Sequence, residues 1–292
     1  MTYKHRFHTS PRMFDLDTQR HVTSRTYEAF AWEGRMRTMG ELGYSLESML
    51  ESQQSLDTVL THCSFSKEQM PGADLEVITY LQCGDGRQYW YQEILQSDGA
   101  VACKIATETQ LKDPQDICAF SLSAGALQGT ESGINPQTVI EQLPHDFPSR
   151  KKASAVETEV VAQYSERTPF FDYPPASFWR FIEEGRWGFS HEIGLDQKRI
   201  LEMDTVTFFT SGTFRIYRQP RAGEVLKVHT WVDRIEKIRC FLRSDVVDAD
   251  GELLMSNIEE QLIVSLSRRR PRRAGPEYVH MVEKYLENTP SD

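Results

Sequence analysis

The sequence predicts an α+β protein built from two similar units, each an antiparallel sheet around a central helix. The first observation is an internal repeat at a constant offset of 151 positions. Within it, Glu33-Gly34-Arg35 and Glu41-Leu42-Gly43 recur as Glu184-Gly185-Arg186 and Glu192-Ile193-Gly194. The second observation is an aromatic-rich helical segment in each repeat. The third is a set of alternating apolar and polar residues after that segment, which is typical of half-buried strands.

Each repeat begins with a short strand and continues into a helix. The first strands are expected at His5–Met13 and Thr158–Tyr164, and the helices near Arg25–Gly43 and Ser177–Gly194. Further strands follow in both repeats, with apolar residues on one face as the pattern of an antiparallel sheet requires. These strands are expected at Leu56–Phe65, Leu75–Gln82, Gln88–Leu95, Val101–Leu111, Val206–Tyr217, Val225–Asp233, Ile238–Val247 and Leu253–Leu266.

The repeat also sets the expected domain boundaries. Residues 1–113 form the first unit, and residues 153–275 form the second. Residues 114–152 are a connector that contains Gly, Ser and Pro, with a short helix at Pro136–Leu143 and a basic end. Residues 276–292 are assigned to a C-terminal tail.

Composition limits the classes of function. The 292 residues carry a formal net charge of -10, which disfavours nucleic acid as a partner. No apolar run is long enough for a membrane span, and no signal peptide precedes the first strand. The five cysteines form no metal-binding or disulfide pattern, so the sequence predicts no metal and a cytoplasmic location. A homo-oligomer is left open.

The stretch from Asp15 to Ser24 is the main candidate for chemistry. It places Asp15, Asp17 and His21 in a polar loop before the first helix. The unpaired N–H groups and positive dipole end of a helix N-terminus can stabilise an oxyanion. Thr23 or Ser24 can cap the helix, and by itself an aspartate before a helix is most often a cap.

This stretch resembles the start of hotdog-fold acyl thioesterases. The shared pattern is D-x-D, then H-V four residues after the second aspartate, then Tyr27 ten residues after it. The plant and bacterial acyl-acyl-carrier-protein thioesterases, with D-L-D, H-V and an aromatic-rich helix, are the form most similar to it. The chain departs from that pattern at Gln19, where the family usually has Asn, and at Thr23-Ser24, where it has Asn-Asn.

The resemblance implies two hotdog units in tandem and one set of catalytic roles. Asp17 would attack the thioester carbonyl or activate a water, and His21 would hydrogen-bond the thioester or water and shuttle a proton. The backbone N–H of Ser24 would polarise the carbonyl, and Gln19 would hold the water or orient Asp17. Tyr27 is expected to contact substrate. No cofactor is implied.

The second repeat lacks this set of groups. At the offset of 151, Thr168 falls opposite Asp17 and Asp172 opposite His21. Pro174 and Pro175 take the places of Thr23 and Ser24, and proline has no backbone N–H to offer. We therefore expect one working site per chain, with chemistry from the first repeat and acyl-pocket walls from both.

Three other groups have a functional and a structural interpretation. The run Ser267–Arg273, with Arg269 and Arg270, is either a solvated tail or a contact for coenzyme A phosphates or an acidic carrier protein. Glu68 is a polar catalytic residue or, with better support, an exposed acid. Glu33 and Arg35 recur in both repeats although only one keeps the acid–histidine loop, which favours a structural ion pair.

Two functions from different classes remain in competition. The first is a thioesterase of fatty acid metabolism, which hydrolyses acyl-carrier-protein or acyl-CoA thioesters to free acid and thiol. The second is a non-catalytic acyl-binding or scaffold protein with the same fold. Serine-hydrolase and nucleotide-binding motifs are absent from the sequence. The local pattern of hotdog hydratases and dehydratases is not found either.

Overall fold

The computed structural model describes residues 2–16, 21–67, 71–111 and 133–288. These residues form two compact units. Unit 1 comprises the described residues between Met1 and Leu143 together with Glu166–Ser177. Unit 2 comprises Pro144–Ser165 and the described residues from Phe178 onward.

Unit 1 is a five-stranded antiparallel sheet around one helix. Its strands follow the order β1-β3-β4-β5-β2, and helix α1 packs on this sheet, with its most extensive contacts to β3 and β1. A second helix, α2, follows α1, and α3 packs on the sheet through β3, β4 and β5. The elements are β1 Tyr3–Thr9, α1 Ser24–Glu41, α2 Leu46–Glu51, β2 Leu56–Phe65, β3 Leu75–Gly84, β4 Arg87–Gln96, β5 Val101–Leu111 and α3 Pro136–Glu141.

The second unit repeats this arrangement. Its sheet has the order β6-β8-β9-β10-β7, which is the order of unit 1 with each strand replaced by its counterpart. A short eleventh strand pairs with β10. The elements are β6 Val156–Val161, α4 Pro175–Glu192, α5 Gln197–Met203, β7 Val206–Ile216, β8 Val225–Glu236, β9 Arg239–Val247, β10 Leu253–Ser265, β11 Arg270–Pro271 and α6 Pro276–Val282. The sequence-based prediction of two tandem hotdog units is confirmed.

A buried ion pair joins the helix to the sheet in unit 1. The Arg35 guanidinium donates to the Glu28 carboxylate at 2.5 Å, and both side chains are almost fully buried. Arg35 also donates to the side-chain oxygens of Gln92 (2.8 Å) and Thr107 (3.2 Å). Thr61 donates to the other Glu28 oxygen at 3.3 Å. Arg35 thus has the expected structural role, with its charge hydrogen-bonded on several sides as a buried charge requires. Its partner is Glu28, however, and Glu33 pairs with Arg37 instead.

The equivalent arginine of unit 2 takes its acid from a different element. Arg186 forms two hydrogen bonds to Glu259 of β10, at 2.9 and 3.0 Å. At the 152 positions that separate the starts of β5 and β10, Glu259 corresponds to Thr107. At the 151 positions that separate α1 from α4, Glu28 corresponds to Trp179. The repeat therefore keeps the arginine and moves its acid from helix to strand.

The chain passes over the sheet of unit 2 before entering β6. Phe147 lies against the Arg243 guanidinium, and Arg215 donates to the backbone oxygen of His145 at 3.1 Å. Glu287, near the C-terminal end of the described chain, accepts hydrogen bonds from three consecutive backbone N–H groups, at positions 151 to 153. These bonds, at 2.8–3.0 Å, hold the pKa of Glu287 below its usual value.

The structure differs from the sequence-based prediction at the ends of elements. The first strand ends at Thr9 rather than Met13, because Pro11 offers no N–H to the sheet and a 3-10 turn occupies Met13–Asp15. Helices α2 and α5 were not predicted, although Ser45 and Asp196 cap them. Residues from Pro276 on, assigned to a tail, contain α6, in which Tyr278 and Val282 are buried.

One consequence of the close helix–sheet contact can be tested at a glycine of α1. A Cβ atom on Gly34 would lie 2.7 Å from the Thr79 Oγ1 atom and 2.9 Å from the Gln92 Nε2 atom. We expect Gly34→Ala to destabilise the protein by about 1–3 kcal/mol, as overpacking does. The measurement is the midpoint of denaturant unfolding.

The matched control is Gly40→Ala in the same helix. No neighbouring atom lies within 4 Å of the added Cβ. Because alanine is a better helix former than glycine, this change should leave stability unchanged or raise it by up to about 1 kcal/mol. Equal effects of the two changes would contradict the tight packing of α1 on β3 and β4.

Candidate active site

The loop before α1 is closed at its base by backbone contacts. The backbone N–H of Thr23 donates to the backbone carbonyl oxygen of Asp15 at 3.1 Å, and Leu16 forms an antiparallel bridge with Val22. The Thr26 hydroxyl also donates to the Asp15 oxygen, at 3.3 Å. These contacts fix the two ends of the loop that carries the predicted acid and histidine.

The first acid of the D-x-D pattern has a structural role. The Asp15 carboxylate accepts a 2.6 Å hydrogen bond from the backbone N–H of Arg12, and the Arg12 guanidinium donates to the same carboxylate. Asp15 is buried, whereas its neighbour Phe14 is 91% exposed. This pairing was not predicted from the sequence, although the spacing of Arg12 and Asp15 across a tight turn is a usable signal.

The start of α1 brings three predicted positions together. Thr23 is the N-cap residue, and its hydroxyl oxygen accepts a hydrogen bond from the N–H of Thr26 at 3.2 Å. Ser24 is the first helical residue and is buried. Tyr27 lies one turn later, where its ring packs edge to face on Phe65 with a centroid distance of 5.1 Å. The positive end of the helix dipole therefore lies where the closed loop enters the helix.

The described chain contains His21 of the predicted catalytic set, half-buried on the strand-like segment that leads to the N-cap. Asp17 and Gln19 lie outside the described residues, as does Glu68. Their catalytic or structural roles therefore stay predictions. The described residues show the contacts that join the two ends of the loop, the position of His21 and the N-terminus of α1.

The corresponding loop of the second repeat is built differently. The Thr168 hydroxyl donates to the Asp172 carboxylate, and the backbone N–H of Thr168 donates to the Asp172 oxygen at 2.8 Å. Phe171 adopts a left-handed conformation, with φ of 64°, and its ring is exposed. Helix α4 then begins at Pro175. This acid serves the internal bonds of a turn, and a proline stands where α1 has Ser24.

The predicted carrier-contacting arginines lie on a hairpin of unit 2. Arg270 begins β11, which pairs with β10, and Arg269 precedes it with φ of 49°. Asp204 holds the turn through the Ser265 hydroxyl (2.5 Å) and the Ser267 N–H (2.7 Å), and these bonds lower the pKa of Asp204 to about 2. Arg272 donates to the Asp204 backbone oxygen at 3.1 Å.

The other arginines of this hairpin are available to a partner. Arg268, Arg269, Arg270 and Arg273 are exposed, and none forms an ion pair with another residue that the structure describes. Although the net charge of this protein is negative, four cationic side chains therefore lie together on one turn of unit 2.

Within the described ranges, no group of three or more His, Cys, Asp or Glu side chains is arranged to hold a metal ion. In the same part of the chain, no helix has the length and apolar character to cross a membrane. No disulfide joins the described cysteines, Cys63, Cys83, Cys103 and Cys240.

Comparison by sequence finds no matching protein-family model and no matching curated protein. Comparison by structure finds solved proteins with a similar fold. A 12:0-ACP thioesterase from Umbellularia californica is 10% identical, with a TM-score of 0.69 over 89% of this chain and 94% of its own. An acyl-ACP thioesterase from Bacteroides thetaiotaomicron is 12% identical, with a TM-score of 0.58 over 88% of this chain and 97% of its own. This chain therefore has the tandem fold of those enzymes along most of its length.

Proposed function

We propose that this protein is an enzyme that hydrolyses an acyl thioester to a free acid and a thiol. The observation that carries the proposal is that contacts between residues 15–16 and residues 22–23 bring His21 close to the N-terminus of α1. The shared fold of acyl-ACP thioesterases supports it. The rival function, acyl binding without catalysis, needs neither an acid nor a histidine in this loop.

The reaction follows from the chemistry of these groups. Asp17 takes a proton from water, and the hydroxide adds to the thioester carbonyl carbon. The dipole of α1, with the N–H of Ser24, stabilises the oxyanion that forms. The carbon–sulfur bond then breaks and the acid is released, while the proton taken up by Asp17 passes through His21 to the leaving thiolate. Gln19 holds the attacking water, and Tyr27 forms part of the wall along the acyl chain.

We further propose that the basic hairpin of Arg269 and Arg270 contacts the carrier of the acyl group. Both coenzyme A, through its phosphates, and an acidic acyl-carrier protein present the negative charge that exposed arginines bind. The four described cysteines, which form no disulfide with one another, fit a reducing cytoplasm as the place of reaction.

The test of the function is hydrolysis of a panel of thioesters that differ in chain length and carrier. Free thiol is detected as it forms, and each acyl group is offered on coenzyme A and on an acyl-carrier protein. We expect turnover on at least one member. A wild-type protein that binds these thioesters and releases no thiol would favour the acyl-binding alternative.

The hairpin makes a salt-dependent prediction. Replacing Arg269 and Arg270 with Ala should raise KM several-fold at low salt with little change in kcat, because it removes binding that ground state and transition state share. The difference from wild type should shrink as ionic strength rises.

The matched control removes two positive charges elsewhere in unit 2, at Lys198 and Lys227. Each of these lysines already has a carboxylate partner, Glu202 or Glu157. We expect this control to change KM much less than the hairpin variant. Equal KM values for wild type and hairpin variant at low salt would assign the arginines to a solvated turn.

A further inference from the structure

A cavity lies on the face of the unit 1 sheet that is turned away from α1. Thr61, Phe65 and Thr107 face the helix, since they contact Glu28, Tyr27 or Arg35. Side chains alternate along a strand, so the residues between them face the opposite way. On that opposite face, the sheet and α3 line an open cavity of about 630 Å³, in the range of small-molecule sites.

Cross-strand pairing determines the floor of this cavity. In one row, His62 of β2, Ala106 of β5 and Tyr91 of β4 lie side by side. The small Ala106 between two ring side chains leaves a trough. In the next row, Ser64 lies beside Lys104, so the trough has a cationic end.

Helix α3 and the residues before it supply a wall with apolar character. Ile134, Val139 and Leu143 line the cavity, with Asn135 and Gln142 as polar neighbours. Helix α3 is anchored by Ile140, which is buried, and by a 3.3 Å hydrogen bond between Gln82 and Gln137. These two contacts therefore fix the position of α3 on the sheet.

The charges in the trough select the kind of ligand. Burial lowers the pKa of His62 to about 4, so its imidazole is neutral near pH 7. Tyr91 donates its hydroxyl to Glu93 at 3.2 Å, and Glu93 lies opposite Lys104 in the sheet. Lys104 is exposed and has no ion-pair partner among the residues in the described ranges. The cationic group of the cavity is thus Lys104, beside an apolar trough.

The corresponding face of unit 2 is filled by the chain itself. Arg243, which occupies the place of Tyr91, lies between the rings of Trp231 and Phe147, at 5.3 and 5.5 Å. The outer face of the sheet thus differs between the two units. In unit 2 it is covered by Phe147, and in unit 1 it borders a cavity.

We propose that this cavity is a binding site for a long-chain carboxylate, separate from the candidate active site. The alkyl chain lies along Ala106 and the apolar side of α3, and the carboxylate pairs with Lys104 and accepts from Ser64. The choice of a free acid also rests on the proposed function, because hydrolysis releases one. The protein would then bind its own product at a second place.

The test is binding of dodecanoate labelled with ¹³C at the carboxyl carbon, followed by NMR. We expect saturable binding to the wild type and loss of one bound carboxyl signal in Ala106→Trp, which fills the trough. Lys104→Met, which keeps the apolar stem, should weaken that signal's binding about tenfold, because it removes a charge-assisted bond. Dodecan-1-ol should bind more weakly than dodecanoate to the wild type and equally to wild type and Lys104→Met.

The control is Lys198→Met, a charge removal on α5 that should leave every carboxyl signal unchanged. Wild-type affinity in Lys104→Met together with retention of every carboxyl signal in Ala106→Trp would overturn the proposal, as would the absence of saturable binding to the wild type. If Ala106→Trp does not fold, Lys104→Met decides. Thioester hydrolysis, measured on the same samples, should be unchanged in Lys104→Met, so failure of the cavity and failure of the enzymatic function are read separately.

Discussion

Asp17→Asn is expected to lower kcat for thioester hydrolysis by at least about 100-fold, the typical contribution of a general base or acid. The change keeps the size of the side chain and removes the charge needed for proton abstraction or attack. His21→Ala should also lower kcat, because it removes the group that returns the proton to the thiolate. Stopped assays of free thiol at saturating substrate measure both effects.

Two control substitutions accompany Asp17→Asn, one in the same loop and one in the corresponding loop of the second repeat. Asp15→Asn changes the other acid of the D-L-D pattern, whose carboxylate is held by Arg12, and should reduce stability more than turnover. Asp172→Asn changes the acid of the second repeat, which can still accept from Thr168 as an amide, and should leave turnover nearly intact. Melting temperatures separate loss of chemistry from loss of a helix cap, which is worth about 0.5–2 kcal/mol.

The outcomes place the site in one half of the chain. Full turnover in Asp17→Asn together with lost turnover in Asp172→Asn would put the chemistry in the second repeat. Full turnover in both would remove carboxylate catalysis from either loop.

The largest stability effect is expected at Arg35. Arg35→Met leaves the Glu28 carboxylate buried without its cation, which typically destabilises a protein by about 3–5 kcal/mol. Glu28→Gln should be destabilising for the complementary reason. Denaturant unfolding measures the loss in the transition that reports unit 1.

The arrangement in unit 2 suggests a second substitution that should restore part of the stability lost in Glu28→Gln. Glu28→Gln combined with Thr107→Glu moves the acid to the strand, as Arg186 and Glu259 are arranged. We expect this double variant to be more stable than Glu28→Gln alone. The control is Arg37→Ala, two residues further along α1, whose pair with Glu33 is half-exposed and worth at most about 1 kcal/mol. Similar losses for Arg35→Met and Arg37→Ala would contradict the importance of the buried pair.

The sequence was informative about the fold because the repeat and the strand pattern are both local and periodic. Strands β2 and β5 have the bounds that alternation predicts, and the starts of α1 and α4 keep the 151-residue offset. Elements without periodicity were missed. Helices α2 and α5 span only 6 and 7 residues, too few for a helical pattern to be distinguished from a loop.

The candidate site was predictable to a smaller extent. The loop and the capping of α1 by Thr23 follow from the order of polar residues before an apolar helix. The partners of buried charges do not, because Glu28 and Glu259 reach equivalent arginines from different elements. The cavity under α3 could not be predicted either, since it depends on which residues of three strands stand side by side.

The different positions of Glu28 and Glu259 in the two units also constrain the order of substitutions by which the two halves diverged. An arginine buried without an acid lowers stability by several kcal/mol, which is a large part of the 5–15 kcal/mol that holds a typical domain together. An ancestor that lost its helical acid first would have risked unfolding. The safer order is gain before loss: for a time, one copy carried both acids around a single arginine, as an intermediate with Glu at both position 28 and position 107 would do. Divergence by this route passes through a temporary redundancy inside the core, and a reconstructed intermediate of one half should contain both acids.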